Sequence, residues 1–172
     1  MKTLVLVAHP NLNESNVNRA WVERLSKEEG VYVHDLYQEY PDFKINVEKE
    51  QALAEQYDRI VFQFPFYWYS TPAILKEWQD VVLTYGWAYG SEGTKLQGKE
   101  FMAAVSTGSP AEAYGENGRN HYPMTELLRP LQAMTNLTGM TFVEPFLLQG
   151  VNALDPNDLA VSAEEYVKRI KA

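Results

Sequence analysis

The chain has 172 residues, close to the usual length of one domain, and we predict a single domain over residues 1–172. Its net charge of −8 argues against a nucleic-acid partner, whose phosphates would be repelled. The absence of cysteine excludes disulfides, iron–sulfur clusters, thiol catalysis and Cys-ligated zinc, and we predict no metal site. The first apolar run ends at Ala8 and is too short to span a membrane. No signal peptide is recognisable. We therefore expect a cytoplasmic protein.

Apolar runs alternate with helical patterns along the chain. We predict five strands, at residues 4–8, 31–36, 59–64, 100–106 and 140–146. Helical spacing predicts helices that begin near Ser15, Glu48, Pro72, Pro123 and Asp155. The third of these takes Ser70 or Thr71 as its cap and extends its apolar stripe to Tyr85. Pro130 must kink or restart the fourth, and residues 37–46 are predicted to be a long loop.

This regular β-α alternation is typical of a parallel sheet with helices on both faces. Five strands fit the flavodoxin-like order 2-1-3-4-5, so we predict an α/β three-layer sandwich. In such sheets ligands bind beyond the carboxyl ends of the strands, near the switch point between strands 1 and 3. The loops that follow Ala8, Phe64 and Ser106 are therefore the places to look for chemistry.

The first of these loops runs from His9 to Ser15, where we expect a helix to begin. Backbone N–H groups and the positive end of the helix dipole can hold a phosphate there. The loop has no glycine and is neither G-x-G-x-x-G nor a P-loop, which disfavours dinucleotide and ATP sites of those kinds. Alternatively, Ser15 only caps the helix and His9 is a structural residue.

The second loop contains four consecutive aromatic residues, Phe66-Tyr67-Trp68-Tyr69, after Pro65. This composition is typical of the rim of a site for a large, flat, amphipathic ring, which needs both stacking surface and backbone hydrogen bonds. The alternative is a dimer interface or a satellite core cluster. Both interpretations can hold, because an interface can also form one wall of a cofactor site.

The third loop begins with the small residues Ser106-Thr107-Gly108-Ser109, which allow the backbone to approach a planar ligand closely. It continues through Tyr114 to His121 with several glycines and no apolar periodicity. Single Tyr or His residues are more often structural than catalytic. Because this segment lies at the same sheet edge as the other two loops, we nevertheless take Tyr114 and His121 as candidate catalytic residues.

The loops contain the motifs His9-Pro10…Ser15-x-x-Asn18, Pro65-x-x-Trp68-Tyr69-x-x-Pro72 and Thr107-Gly108. Together with Trp78, residues 36–43 and residues 86–90, they resemble the NAD(P)H:quinone oxidoreductase family of flavodoxin-like proteins. The similarity covers residues 2 to about 150. It is greatest to a small bacterial branch that includes the ancillary quinone reductase of the glutathione-gated potassium efflux system.

The resemblance implies a homodimer with one flavin per subunit, bound at the subunit interface. The short chain favours FMN over FAD. The implied site residues fall into four groups. The phosphate and ribityl end would contact His9, Ser15, Asn16, Val17 and Asn18. One side of the isoalloxazine would contact Pro65, Phe66, Tyr67, Trp68 and Tyr69. The pyrimidine part would contact Ser106, Thr107, Gly108 and Ser109. Hydride transfer would involve Tyr114 and His121.

One position departs from the family pattern. The family usually has Thr-Thr-Gly-Gly where this chain has Ser106-Thr107-Gly108-Ser109. If the second glycine of that motif has a positive φ, Ser109 would need a shifted loop or a modestly strained backbone. The flavin contact expected of Ser109 depends on which of these holds.

The activity that the resemblance implies is ping-pong transfer of a hydride from NADPH or NADH to a quinone-type acceptor. Nicotinamide and quinone would occupy the same aromatic slot in turn. Without a dinucleotide motif, the sequence does not choose between NADH and NADPH. Two other functions remain open, a flavin-containing regulatory subunit that binds a membrane potassium efflux transporter, and a one-electron carrier.

The segment Gly86-Trp87-Ala88-Tyr89-Gly90 is rich in aromatic residues and has no part in the predicted core. In the implied dimer, we expect Trp87 and Tyr89 to lie near the active site of the partner subunit.

Overall fold

The computed structural model describes residues 1–172 and contains one parallel sheet of six strands. The strands are β1 (Thr3–Val7), β2 (Val31–Asp35), β3 (Arg59–Pro65), β4 (Glu100–Thr107), β5 (Thr141–Phe142) and β6 (Phe146–Gln149). Their order is β2-β1-β3-β4-β5, and β6 also pairs with β4. The predicted flavodoxin-like order 2-1-3-4-5 is confirmed.

Seven helices connect or follow these strands. They are α1 (Val17–Leu25), α2 (Leu36–Glu39), α3 (Val47–Glu55), α4 (Ala73–Val82), α5 (Met124–Leu127), α6 (Arg129–Thr138) and α7 (Pro156–Lys171). Short 3-10 turns lie at Leu12–Glu14, Ala111–Ala113 and Val151–Ala153. None of the helices is both long enough and apolar enough to cross a bilayer.

The sheet separates two apolar cores, because successive side chains of a strand point to opposite faces. On one face Leu4, Leu6 and Ala8 of the first strand region pack with apolar residues of α2 to α6. On the other face Val5 and Val7 pack with α1 and α7. This arrangement is the predicted three-layer sandwich, and it leaves the carboxyl ends of β1, β3 and β4 at one edge of the sheet.

The predicted fifth strand is divided into β5 and β6. Phe101 pairs with Phe142, whereas Ala104 pairs with Phe146, so this side of the sheet carries one extra residue relative to β4. An extra residue of this kind is a bulge, and Pro145 within it has no N–H to donate to the neighbouring strand. A single strand over 140–146 was therefore a wrong prediction.

Several other boundaries differ from the predicted ones. The predicted loop over residues 37–46 begins with α2, because the Asp35 carboxylate accepts hydrogen bonds from the N–H groups of Tyr37 and Gln38. Pro72 precedes α4, and no side chain caps that helix. The helix ends at Val82, which leaves Tyr85 71% exposed.

Two predictions about helix starts are confirmed. A new helix, α6, starts at Arg129, so Pro130 occupies its first turn, where a missing N–H is tolerated. The Asp155 carboxylate caps α7 by accepting from the N–H groups of Asn157 and Asp158. Both helix starts could be predicted because proline in a first turn and aspartate at a cap are recognisable in the sequence.

Trp87 belongs to the core, contrary to the prediction that its segment has no part in it. It is 8% exposed, and its indole Nε1–H donates to Oε1 of Glu55 over 2.8 Å. Tyr89 is half-buried and packs edge-on against Tyr85. Tyr85, which directly precedes this segment, is the exposed aromatic residue, so aromatic content alone did not distinguish core from surface here.

A buried carboxylate fastens α3 to its surroundings. The side chain of Glu50 accepts hydrogen bonds from the Tyr40 hydroxyl (2.6 Å) and Trp78 Nε1 (2.9 Å), and lies 2.9 Å from His34 Nε2. Burial alone raises the pKa of Glu50, but its hydrogen bonds and the nearby His34 outweigh that effect and hold it below its usual value. The network joins β2, the segment after α2, α3 and α4 into one unit.

Candidate functional site

The three predicted loops meet at the carboxyl edge of the sheet because β1, β3 and β4 are adjacent. The Ala8 N–H donates to the Gln63 carbonyl (2.9 Å), which joins the first loop to β3. The Phe66 N–H donates to the Ser106 carbonyl (2.9 Å), which joins the second loop to the third. The convergence predicted from the sequence is therefore present in the structure.

A buried chain of polar side chains lies beneath the loops. Asn18 Nδ2 donates to Ser106 Oγ over 3.0 Å, and Gln63 Nε2 lies 3.2 Å from the Asn18 carbonyl and 3.3 Å from its Oδ1. All three side chains are at most 4% exposed. Gln63 Oε1 has no hydrogen-bond partner, which is unusual for a buried polar atom. These hydrogen-bonded side chains connect the start of α1 to the ends of β3 and β4.

In the first loop the helix begins later than predicted, at Val17 rather than Ser15. Ser15 Oγ accepts a hydrogen bond from the Asn18 N–H over 3.0 Å, which is the capping role given above as the alternative. Asn16 immediately precedes the helix, and its side chain caps nothing. The amino end of α1 thus lies at the carboxyl edge of the sheet. The amino ends of helices bind anions, because their free N–H groups and the helix dipole favour negative charge.

His9 is held as a neutral imidazole. The Asn11 N–H donates to its Nδ1 over 3.1 Å, so Nδ1 is an acceptor and the ring proton is assigned to Nε2. Burial lowers the pKa of His9, and the charge of Asp35 offsets this only in part. Burial also raises the pKa of Asp35. His9 can therefore offer one N–H donor at neutral pH. It lines an open cavity of about 670 Å³ together with Asp35 and Arg19.

The aromatic loop forms a tight turn. Tyr67 and Ser70 exchange two backbone hydrogen bonds, of 3.1 and 2.9 Å, across Trp68 and Tyr69. Both central residues have positive φ, 46° and 63°, which bulky side chains rarely adopt. Backbone strain of this kind concentrates at functional sites. Trp68 is 93% exposed and Tyr69 51%, so the turn presents aromatic surface outward.

Ser109 is accommodated in the third loop without backbone strain. It is not among the residues with positive φ, and neither is Gly108. Its carbonyl accepts from Thr107 Oγ1 over 2.7 Å, and its Oγ is hydrogen-bonded to the Arg119 guanidinium. The strain that the missing second glycine would have required does not occur, because the serine adopts an ordinary conformation.

A cavity of about 380 Å³ opens between the second and third loops. Its walls are aromatic on one side and polar on the other. The rings of Phe66 and Tyr114 lie 6.2 Å apart at 70°, and the Tyr69 hydroxyl donates to Asn120 Oδ1 over 3.0 Å. The residues that line the cavity are Phe66, Trp68, Tyr69, Ser109, Tyr114, Arg119 and Asn120.

His121 lies outside this cavity although it is next to Asn120 in the chain. Its side chain is exposed, its backbone has a φ of 60°, and its ring Nδ1 lies 3.4 Å from the Glu116 carbonyl. Of the two candidate catalytic residues, Tyr114 alone contributes to the wall. Asn120, the residue before His121, lines the cavity instead, and a role for His121 stays a prediction.

Three residues of the candidate site, Gln63, Arg119 and Asn120, are not among the predicted ones. Gln63 had a usable signal, because it is the one polar side chain in the apolar run from Ile60 to Phe64 and must be hydrogen-bonded when buried. Arg119 and Asn120 had none, because only the turn geometry determines which of three consecutive polar side chains faces inward. The loop after β6 also approaches the site. A Cβ at Gly108 would lie 3.1 Å from Nδ2 of Asn152.

This fold defines a flavodoxin-like protein with a candidate ligand site at the carboxyl edge of the sheet. The family model described as flavodoxin-like fold matches residues 1–172, and the chain belongs to this family. General stress protein 14 of Bacillus subtilis (strain 168) is 57% identical over 171 residues, which cover 99% of this chain and 98% of that protein.

A second relative is the glutathione-regulated potassium-efflux system ancillary protein KefG of Pectobacterium carotovorum, 42% identical over 96% of this chain and 90% of its own. Two crystal structures are also similar. General stress protein 14 of Treponema denticola, in complex with FMN, has a TM-score of 0.95 at 38% identity, covering 99% and 98% of the two chains. The NADPH-quinone reductase of P. pentosaceus has a TM-score of 0.87 at 36% identity, covering 96% and 97%.

Proposed function

We propose that this protein is an FMN-dependent NAD(P)H:quinone oxidoreductase. The observation that carries the proposal is the cavity of about 380 Å³ between the aromatic turn and the loop after β4. It combines aromatic walls with polar groups at one side, as a planar heterocycle requires. The FMN in the Treponema denticola structure and the NADPH-quinone reductase named above support the cofactor and the activity.

The residues at this edge fit FMN. Phe66, Trp68 and Tyr69 offer ring surface for the isoalloxazine, and Ser106 to Ser109 offer small side chains and backbone amides to its pyrimidine part. The neutral His9 and the amino end of α1 suit the phosphate, since they supply N–H donors at the positive end of a helix. The unpaired Gln63 Oε1 shows that the polar groups beneath the loops are not fully satisfied within the protein alone.

When bound, FMN would supply the hydride-accepting chemistry, and the protein supplies placement, polarity and exclusion of water. Nicotinamide and quinone would use one slot alternately, in a ping-pong cycle, because both must bring their reacting atoms within about 3.5 Å of the same ring. Tyr114, in the cavity wall, is the candidate donor to charge that develops on the ring. His121 remains a candidate only if a partner subunit or a bound ligand draws it inward.

We further propose that the protein is a homodimer whose interface covers the aromatic turn. The exposed side chains of Trp68, Tyr69, Tyr85 and Tyr122 support this, because at least half of each would otherwise remain in water. Sedimentation equilibrium of the FMN-loaded protein tests it. A monomer with full activity would contradict the proposal.

The first experiment measures FMN binding. The apoprotein is titrated with FMN and followed by quenching of FMN fluorescence, with Tyr32→Phe as a control, because Tyr32 lies on β2 and not in the cavity wall. We expect one FMN per chain at micromolar concentration or below. A chain that takes up no FMN at micromolar concentration would remove the basis of the proposal.

The second experiment separates the reaction into its halves. Under anaerobic conditions NADPH and NADH are mixed separately with the loaded protein, and loss of the flavin absorbance near its visible maximum is followed. A soluble naphthoquinone is then added. We expect reduction by at least one of the two nucleotides and reoxidation by the quinone. Failure of both nucleotides to reduce the flavin would instead favour an electron carrier that receives electrons from another protein.

The alternative function is that of a regulatory subunit of a potassium efflux transporter, which the similarity to KefG supports. We propose a cytoplasmic location for the protein under either function. A variant that loses reductase turnover but retains its effect on potassium efflux in cells would favour this alternative. Loss of both properties together would favour the enzyme.

A further inference from the structure

Arg119 differs from the other arginines of the chain in having no carboxylate partner. The sequence contains six arginines. Five of them form ion pairs, namely Arg19 with Glu23, Arg24 with Glu28 and Glu164, Arg59 with Glu100, Arg129 with Glu126, and Arg169 with Glu144. The Arg119 guanidinium is hydrogen-bonded to the neutral Ser109 hydroxyl instead. Its positive charge is therefore uncompensated, in a chain whose net charge is −8.

The same guanidinium is the cationic group in the wall of the 380 Å³ cavity. The other side chains there are four aromatic rings, a serine and an asparagine, none of which carries a charge at neutral pH. A planar guanidinium presents several N–H donors in a fixed arrangement, which suits a delocalised anion better than a neutral ligand. The cavity thus favours an aromatic ligand that is or becomes negatively charged.

The backbone holds Arg119 in this place. A Cβ on Gly118 would lie 2.5 Å from the backbone of Ala113, so only glycine allows the chain to fold back this closely. The Gly118 N–H donates to the Gly115 carbonyl (3.1 Å), and the Asn120 N–H donates to the Ala113 carbonyl (3.0 Å). These bonds fix the backbone on either side of Arg119, and the contact with Ser109 Oγ holds its exposed side chain at the cavity wall.

We propose that Arg119 is a catalytic residue that stabilises the negative charge which FMN acquires on reduction. This inference rests on the function proposed above. Reduction places negative charge on the N1 and C2-carbonyl region of the isoalloxazine, and a fixed cation stabilises the charged form over the neutral one. The contact between Arg119 and Ser109 keeps the cation beside the loop proposed to hold that part of the ring.

Sulfite provides a test that needs neither nicotinamide nor quinone. The sulfur lone pair of sulfite forms a bond to N5 of oxidised flavin, and the displaced electron pair moves to the N1 and C2-carbonyl region. No oxidant or reductant is consumed. The affinity for sulfite therefore reports how well the protein stabilises negative charge at that part of the ring.

The experiment compares four FMN-loaded proteins, the parent, Arg119→Gln, Arg119→Lys and Arg129→Gln. Arg129→Gln is the control, because it also removes one arginine charge. Arg129 is exposed at the start of α6 and pairs with Glu126. FMN affinity of each apoprotein is measured first. Sulfite is then titrated and followed by bleaching of the visible flavin band.

We expect Arg119→Gln to raise the sulfite Kd about tenfold or more, as loss of a charge-assisted contact requires. Arg119→Lys should recover part of the loss, and Arg129→Gln should match the parent. In the two Arg119 variants the Kd for oxidised FMN should change less than the Kd for sulfite.

Three results would overturn the inference. A sulfite Kd of Arg119→Gln within twofold of the parent would show that the cation does not act on the flavin. If Arg119→Gln leaves the sulfite Kd unchanged and raises the KM for NADPH but not for NADH, Arg119 would instead bind the nucleotide phosphate. A parent protein that binds no FMN would overturn the proposed function and this inference with it.

Discussion

The Tyr69 hydroxyl donates to Asn120 Oδ1 over 3.0 Å, and this bond joins the aromatic turn after β3 to the loop after β4. Tyr69 reaches Asn120 from a backbone with a φ of 63°, and Asn120 is itself fixed through its N–H to Ala113. The bond closes one end of the candidate site. It also indicates that the strained turn is held by tertiary contacts rather than by local preference.

We predict that Tyr69→Phe weakens FMN binding about fivefold, because one hydrogen bond between the loops contributes about 1 kcal/mol. Tyr32→Phe is the control, because Tyr32 lies on β2, is exposed and is not part of the cavity wall. Fluorescence titration of the two apoproteins with FMN gives both dissociation constants. Equal values in the two variants would contradict the importance of the bond.

We predict that Tyr114→Phe slows reduction of bound FMN by about a hundredfold while the FMN dissociation constant stays within a fewfold of the parent. A donor that acts on developing charge contributes about 3 kcal/mol to the transition state. Tyr114 lines the cavity, which makes it the better placed of the two candidates. Stopped-flow absorbance under anaerobic conditions measures the rate.

His121→Ala, in the same experiment, tests the residue that the structure leaves outside the cavity. Because its side chain is exposed, we expect a smaller loss than for Tyr114→Phe. A loss as large as that of Tyr114→Phe would show that His121 moves to the flavin in the assembled enzyme. Reduction rates within twofold of the parent in both variants would remove the two residues from the mechanism.

We predict that Asn18→Ala lowers the free energy of unfolding by about 1–3 kcal/mol, because buried hydrogen bonds to Ser106 and Gln63 are lost. It should also weaken FMN binding, since the start of α1 is no longer tied to β4. Asn157→Ala is the control, because Asn157 occupies the same second position of α7 but is exposed. Urea unfolding followed by tryptophan fluorescence gives the unfolding free energies of the two variants, and titration of each apoprotein with FMN gives the dissociation constants. Equal unfolding free energies would contradict the prediction.

We predict that Glu50→Gln destabilises the protein at pH 7 more than Glu55→Gln does. Each carboxylate accepts from an indole N–H, Glu50 from Trp78 and Glu55 from Trp87, but only Glu50 is fully buried. An amide at position 50 cannot accept all three hydrogen bonds, and an unpaired buried group costs about 1–3 kcal/mol. Urea unfolding of the two variants at pH 7 compares them directly.

The same network predicts an acid dependence of stability. The pKa of Glu50 is lower in the folded protein than its usual value, so its contribution is complete above the unfolded pKa of about 4.3. The contribution is lost as the pH falls from there through the folded pKa. Glu50→Gln should therefore lose less stability than the parent between pH 6 and pH 3. Parallel curves for parent and variant would contradict this.

Much of the architecture could be predicted because its signals are local. The continuous apolar run of β1 indicates a strand buried on both faces, and Asp155-Pro156 carries the chemistry of a helix start. The division of the last strand could not be predicted from its apolar residues, because it depends on the register against β4. Similarly, Trp87 has no periodicity that marks it as core, and it is buried because its segment packs against the larger apolar core and Trp87 donates to Glu55 of α3.

The sequence by itself determined the alternation of strands and helices, and therefore which three loops share the carboxyl edge of the sheet. Family membership and the type of ligand followed from residues in those loops. Only the tertiary structure decided which side chains face the cavity. Asn120 and Arg119 contribute to its wall and His121 does not, because Gly118 packs against Ala113 and sets the direction of each side chain that follows. Hydrophobic periodicity specifies elements, whereas loop direction depends on contacts between residues distant in the chain.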